Sequence, residues 1–220
     1  MSKLNVDTIE PEGASTTLTL GASGDTVTIP SGATIDASAA TATGFAAGLN
    51  SVQTFTSSGT WTRPSGVTKI IVEVQGGGGS GDDVNNYTGC GGAYAKKFID
   101  VSSISTSTIT VGAGGVSVSG ATPGTTGGLS SWADGTNTIS CAGGIGGGNI
   151  AYLISTGVVA TGGDINVDGS GDYGSIYGHH GDVRNGDRDV RDAKGYGAGG
   201  GGNHSTYSPR IGGTGSVGLI

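Results

Sequence analysis

A run of acidic and amide side chains that begins at Asp164 carries the oxygen donors that a calcium site would use. Four donors fall at ligand positions of a calcium-binding loop with glycine at the sharp turn: Asp164, Asn166, Asp168 and Asp172. The last position of such a loop is normally a bidentate Glu, but here it is Ser175. No flanking helix is predicted. The pattern therefore permits calcium without requiring it, and no other cofactor is predicted.

Two neighbouring histidines, His179 and His180, could ligate a transition metal. Adjacent side chains point in opposite directions on an extended chain, so one chain cannot easily direct both to the same ion. On a three-fold axis, one histidine from each of three chains could meet at a single ion. The alternative, which is the commoner outcome, is a pair of solvent-exposed loop histidines.

Residues 172–194 interleave tyrosine and arginine with aspartate. The aromatic and basic members are Tyr173, Tyr177, Arg184, Arg188 and Arg191. Tyr supplies apolar area at a small entropic cost and Arg supplies directional hydrogen bonds, which together suit a contact surface. The alternative is a solvated connector whose charges pair with one another. Two further candidate loops follow glycine runs, one with Asn85, Asn86 and Tyr87 and one with His204 and Tyr207.

Catalysis and nucleic-acid binding find little support in the sequence. A glycosidase needs two carboxylates at a defined separation, and no nucleophile elbow or dinucleotide fingerprint is present. The net charge is −7 and the basic residues are scattered, which argues against nucleic acid. The sequence shows no secretion signal or apolar span, so synthesis in a cytoplasm is expected, with Cys90 and Cys141 as buried thiols. The chain is predicted not to be an enzyme.

A strand with a strong period-two pattern spans residues 67–75 and runs directly into four glycines. Ile70, Val72 and Val74 fall on one face, while Ile71, Glu73 and Gln75 fall on the other. Further strands are predicted at residues 93–101, 107–111, 129–132 and 136–142. Short strands at these spacings predict an all-β fold with an antiparallel β-sandwich-like domain.

Glycine occupies 48 of the 220 positions, against a usual share of about 7%. Because glycine loses much backbone entropy on folding, runs of it are retained only where a side chain would collide with a neighbour. A glycine chain can adopt the polyproline II conformation and stack in a lattice bonded through its backbone. We therefore predict packed polyglycine II rods joined by glycine-rich loops.

Three regions are predicted along the chain. Residues 1–50 contain short strands at 17–20, 26–29 and 33–36 around a turn at 30–32, with too little apolar surface for a separate core. An intertwined homotrimer would bury that surface. Residues 51–148 form the β-sandwich-like domain, and residues 149–220 form a region of rods with exposed loops.

The motif order resembles the glycine-rich domain of bacteriophage tail fibres. It is carried by FTSSGTWTRPSGVTKIIVEVQGGGGSG, GGAYAKKFIDV, ITVGAGG, GGLSSWADG and ISCAGG, and later by GGDINVDGSG and GYGAGGGG. The opening SKLNVDTIEP is similar to fibre N-termini from marine and cyanobacterial phages. The chain departs from the family at its end, GSVGLI, where the last strand is expected to be short or completed by a neighbouring subunit.

The resemblance implies a tail fibre in the virion that docks on a baseplate or other tail protein through its N-terminus. Its C-terminal loops would bind a host surface glycan or outer-membrane protein. The receptor-binding candidates are Tyr173, Tyr177, His179, His180, Arg184, Arg188, Arg191, Asn85, Asn86, Tyr87, His204 and Tyr207. The alternative is a purely structural virion component, such as a connector or decoration, without receptor binding.

Overall fold

The computed structural model describes residues 51–83, 87–120, 122–148, 158–169, 175–179, 181, 191–202 and 212–220, together with positions 26, 28, 31 and 32. The chain divides into two units, Met1–Ser51 and Val52–Ile220. In the first unit the turn predicted at residues 30–32 is confirmed at Ser31 and Gly32, while Thr26 and Thr28 are not in a strand. The other strands predicted there lie outside the described residues. The predicted boundary between residues 148 and 149 falls inside the second unit.

The described part of the second unit contains three antiparallel sheets. Their strands are β1 (Gly59–Thr62), β2 (Lys69–Gln75), β3 (Tyr94–Asp100), β4 (Thr106–Thr110), β5 (Ser130–Ala133), β6 (Thr138–Cys141), β7 (Ala160–Thr161), β8 (Ile165–Val167), β9 (Gly178–His179) and β10 (Lys194–Gly195). The sheets have the orders β1-β4-β5-β6-β7, β2-β3-β8 and β10-β9. No helix occurs in the described ranges, which therefore contain none that could span a membrane. The all-β prediction is confirmed.

The five-stranded and three-stranded sheets share one apolar core. Val72 and Val74 of β2 are buried, as the period-two pattern predicts. They belong to the same cluster as Trp61 and Trp132, whose rings lie 5.1 Å apart. Ile109 of β4 lies directly opposite Trp132 and is also buried. Two sheets that cover each other through their inner faces form a sandwich-like arrangement.

The outer face of the three-stranded sheet is solvated and carries large apolar side chains. Ile71 of β2 lies directly opposite Phe98 of β3, and they are 57% and 55% exposed. Along the same face Glu73 lies opposite Lys96, and their charged atoms are 2.9 Å apart. This face thus carries an apolar pair next to an ion pair, each of which stabilises the sheet modestly.

Glycine-rich segments continue the strands as rods. Residues 76–82 follow β2 and form the central rod. The N–H groups of Gly76 and Gly79 donate to the carbonyls of Ala93 and Cys90 at 2.8 and 3.0 Å. Every third residue of the rod therefore faces the same neighbouring segment. Three residues per turn is the period of the polyproline II conformation.

Six segments surround the central rod in the described part of the chain, and we call the seven together the rod bundle. In order around the centre they are residues 87–93, 142–148, 122–128, 112–118, 212–218 and 196–202. Each is hydrogen-bonded to the next, and the last is bonded to the first. The central rod donates to alternate members of this ring, as in Gly77 N–H to Gly128 O at 3.0 Å, and accepts from the others, as in Gly144 N–H to Gly77 O at 2.7 Å. The packed rods predicted from the sequence are therefore present.

The bundle explains why these positions are glycine. A Cβ atom at Gly78 would lie 1.8 Å from the carbonyl oxygen of Ala198, and one at Gly77 would lie 2.3 Å from that of Ala113. The obstacle is backbone in each case, so no rotamer change relieves the collision. Close approach of bare backbones lets neighbouring N–H and C=O groups pair without a conventional core.

Further sequence predictions agree with the structure. Strands β3 to β6 end within two residues of their predicted bounds. Cys90 and Cys141 are both buried, and burial raises the pKa of the Cys141 thiol to about 12. The C-terminal segment pairs within its own chain, because Ile220 and Phe55 exchange backbone hydrogen bonds of 2.6 and 3.1 Å.

Candidate functional site

The central rod stops at Gly81 and Asp82, and we call this side of the bundle its far end. Asp82 N–H donates to Tyr87 O at 3.0 Å, so the chain leaves and re-enters the bundle at one level. Gly81 N–H donates to Gly213 O, also at 3.0 Å. The ends of the segments that contain residues 84–86 and 203–211 are thus adjacent.

A third connection starts and finishes at the same level. Gly201 N–H donates to Arg191 O at 3.2 Å, and Gly213 N–H donates to Gly201 O at 2.8 Å. A Cβ atom at Gly181 would meet Arg191 O and Gly201 N at 1.9 and 2.4 Å. The described residues on either side of three segments that carry predicted binding residues therefore lie at the far end, and these segments are 84–86, 182–190 and 203–211.

Two buried aspartates hold the far end together. Asp82 and Asp83 are 1% and 0% exposed. Asp82 Oδ1 accepts from Tyr87 N at 2.9 Å, and Asp83 Oδ1 accepts from Thr122 N at 2.8 Å. A buried carboxylate is costly unless it is hydrogen-bonded, and here the bonds tie two connections to the central rod.

The sequence predicts a candidate binding loop at residues 82–87, after the first glycine run. The structure buries the two acids and leaves Tyr87 44% exposed. The segment GGGGSGDD contained a sequence signal for this burial. Gly77, Ser80 and Asp83 are spaced three residues apart, and each of them bonds to the segment 122–128.

The side chain of Tyr177 lies away from the far end. The hydroxyl of Tyr177 donates to Glu73 Oε2, and its ring packs edge-on to that of Tyr94 at 5.8 Å. Glu73 lies on β2 and Gly81 lies eight residues later on the central rod that continues this strand. At about 3.1 Å per residue, the two residues are roughly 25 Å apart. Tyr177 is therefore part of the sheet end and not of the group around Arg191.

The polar cluster at the sheet end consists of Glu73, Tyr94, Lys96 and Tyr177. Burial raises the pKa of Glu73, but hydrogen bonds from Tyr177 and Lys96 and the charge of Lys96 outweigh burial and leave that pKa below its usual 4.5. Burial and the bond to Glu73 raise the pKa of Tyr177. The hydrogen bond and charge of Glu73 raise the pKa of Lys96. The carboxylate is thus held ionised and the phenol neutral. No sequence signal links Glu73 to Tyr177, which are 104 positions apart.

The Tyr177→Phe variant tests this cluster. Loss of the phenol removes one of the causes that lower the pKa of Glu73, so that pKa should rise. A lowered carboxyl pKa stabilises the fold above its unfolded value and loses this contribution as the pH falls through the folded value. The variant should therefore be less stable than the parent above pH 4.5, by about 1 kcal/mol or less for a partly exposed pair, and the difference should shrink in acid.

The measurement is an NMR titration of the Glu73 carboxyl carbon together with melting curves at several pH values. Tyr196→Phe is the matched control, because it removes a phenol outside the cluster. An unchanged Glu73 pKa in Tyr177→Phe would contradict the assignment.

The calcium candidates lie on or beside β8, where their side chains bond to separate backbone groups. Asp164 Oδ2 accepts from Phe98 N at 2.9 Å, and Asp168 Oδ1 accepts from Ala160 N at 3.1 Å. Asn166 Oδ1 accepts from Gly163 N at 3.0 Å. Within the described ranges no three His, Cys, Asp or Glu side chains are grouped as a metal site. Asp172 lies outside these ranges, so calcium stays a prediction.

His179 and Arg191 are exposed, and Tyr87 and Tyr177 are partly exposed. The remaining binding candidates lie outside the described residues: Tyr173, His180, Arg184, Arg188, Asn85, Asn86, His204 and Tyr207. The three-histidine metal hypothesis rests partly on them and stays a prediction.

A family model described as glycine-rich domain matches residues 49–220. The match covers most of the chain and includes both the sandwich and the rod bundle. The chain belongs to this family. No curated protein shows a significant match to the sequence. Membership of the glycine-rich domain family agrees with the bundle of bare-backbone rods and fixes no ligand or partner.

Proposed function

We propose that this glycine-rich domain protein is a bacteriophage tail fibre whose far-end segments recognise a receptor on the host cell. The observation that supports it is that the described residues flanking segments 84–86, 182–190 and 203–211 lie together at one end of a hydrogen-bonded scaffold. These segments contain six of the twelve candidate residues: Asn85, Asn86, Arg184, Arg188, His204 and Tyr207.

The physical case is one of pre-organisation. A rod held by neighbours on all sides leaves the attached segments little freedom at their ends, which lowers the entropic cost of binding. Binding residues commonly lie on loops that a rigid scaffold positions. The phage assignment itself rests on the resemblance of the motif order to tail-fibre glycine-rich domains. In this proposal residues 1–50 form a homotrimer that docks on a baseplate or other tail protein, the receptor is a surface glycan or outer-membrane protein, and no catalysis is involved.

Replacement of residues 203–211 and of residues 182–190 by Gly-Ser linkers of equal length tests the receptor role. Adsorption of the encoding phage to its host should fall at least about tenfold for either replacement, since each removes directional contacts. The melting temperature should change little, because the rods keep their own hydrogen bonds. Lys69→Gln removes a charge from the opposite end of the molecule and serves as the matched control.

Adsorption that survives both replacements would overturn the receptor role. Gold-labelled antibody against the chain should mark the tail of intact particles. Label on the particle combined with unaffected adsorption would favour the structural alternative, and absence of label from purified virions would overturn the tail-fibre assignment.

A further inference from the structure

A cleft of about 520 Å³ opens beside β9 and β10. The cleft is open to solvent and not enclosed. Its lining includes the side chains of Ser175, Ile176, Tyr177, His179 and Lys194. None of these residues belongs to segments 84–86, 182–190 or 203–211, which carry the proposed receptor role.

Two basic groups face each other at this cleft. His179 and Lys194 are directly opposite in the antiparallel pairing of β9 with β10, and both are exposed. Directly opposed side chains have Cβ atoms about 5 Å apart. Neither side chain forms an ion pair with another described residue. An anion placed between them would accept hydrogen bonds from the Lys194 ammonium group and from a His179 ring N–H.

The rest of the cleft is apolar and fixed in position. Tyr177 is 36% exposed, and its bonds to Glu73 and packing on Tyr94 hold the ring in place. Tyr196 N–H donates to Tyr177 O at 3.1 Å, which fixes the backbone as well. Ile176 adds a side chain that is 53% exposed. A rigid aromatic wall beside a short apolar side chain suits the C–H face of a sugar ring, at low entropic cost.

We propose that this cleft binds a sugar unit that carries an anionic group. His179 and Lys194 would take the carboxylate or phosphate, and Tyr177 with Ile176 would contact the ring. A hexuronic acid and a phosphorylated hexose share this chemistry. His179 is two residues from Gly181 and Lys194 is three residues from Arg191, so this site lies beside the far end.

The test is an NMR titration of the full-length protein with glucuronate, glucose 6-phosphate, glucose and acetate. The chain has three histidines, so the imidazole signal of His179 can be assigned by single substitutions. We expect saturable shifts of His179 with glucuronate or glucose 6-phosphate, and the stronger of the two identifies the anionic group. Glucose and acetate should each bind at least about tenfold more weakly, because each lacks one half of the recognised chemistry.

Lys194→Gln should weaken the binding of the better anionic sugar at least about fivefold, while Lys194→Arg should restore it. Lys69→Gln is the control for the general loss of one positive charge, and it should bind like the parent. Equal binding of glucose and glucuronate, equal binding of acetate, or equal effects of Lys194→Gln and Lys69→Gln would each overturn the proposal.

Discussion

Gly78→Ala is expected to destabilise the protein by about 4 kcal/mol or more and to lower the melting temperature by about 10 °C or more. The added Cβ would lie 1.8 Å from Ala198 O and 2.3 Å from its carbonyl carbon. Both are backbone atoms of a neighbouring rod, so relief requires the rods to separate. Separation would break the hydrogen bonds that Gly78 makes with Ser216 and Gly115, at 2.8 Å each.

Gly59→Ala is the matched control for this experiment. Gly59 lies on exposed strand β1, and an added Cβ there would meet nothing within 4 Å. The free energy of unfolding of the Gly59→Ala variant should differ from that of the parent by less than about 0.5 kcal/mol. Thermal and urea unfolding followed by circular dichroism measures both variants. Equal melting temperatures for the two would show that the rods are not in close contact.

Amide hydrogens in the rods are expected to exchange at least about 10⁴-fold more slowly than those of an unfolded chain, since their opening requires global unfolding. The diagnostic positions are residues 76–81 together with Gly144, Gly147, Gly197 and Gly200, whose N–H groups donate across the bundle. A glycine-rich segment without these partners would exchange rapidly. The difference in exchange rate between bonded and unbonded glycine amides is large, because protection of the bonded amides scales with the full free energy of unfolding.

Hydrogen–deuterium exchange read by mass spectrometry or NMR makes the measurement. Val52 and Gln53 are the internal reference, because both are exposed at the start of the second unit and should exchange fast. Exchange at Gly144, Gly147, Gly197 and Gly200 as fast as at this reference would contradict the bundle.

The strands were predictable because their side chains alternate. Val72 and Val74 are buried while Ile71 is exposed, as a period of two requires. Gln75 is the exception, since the pattern places it with Ile71 but it is 1% exposed. Its amide donates to Gly92 O and Ala93 O at 2.8 and 3.1 Å. The alternation fails here because rods, and not solvent, cover the end of β2.

The rods were predictable as a class from glycine content, but their order around the centre was not. Glycine has no side chain, so any glycine segment can pair with any other and the sequence holds no record of which are adjacent. The order depends on the strands, which place each rod where a strand ends, as β2 does for Gly76 and β6 does for Ala142. The burial of Asp82 and the bond from Tyr177 to Glu73 depend on this order and were missed for the same reason.

The carbonyl and amide contacts between Gly81, Gly201 and Gly213 use main-chain atoms only. These contacts therefore do not depend on the identity of any side chain. We expect substitution, insertion or deletion in residues 203–211 to cost little folding stability, because loop closure depends weakly on length. Such an arrangement keeps the scaffold constant while the binding segments vary in sequence. New ligand specificities can then arise without a change of fold.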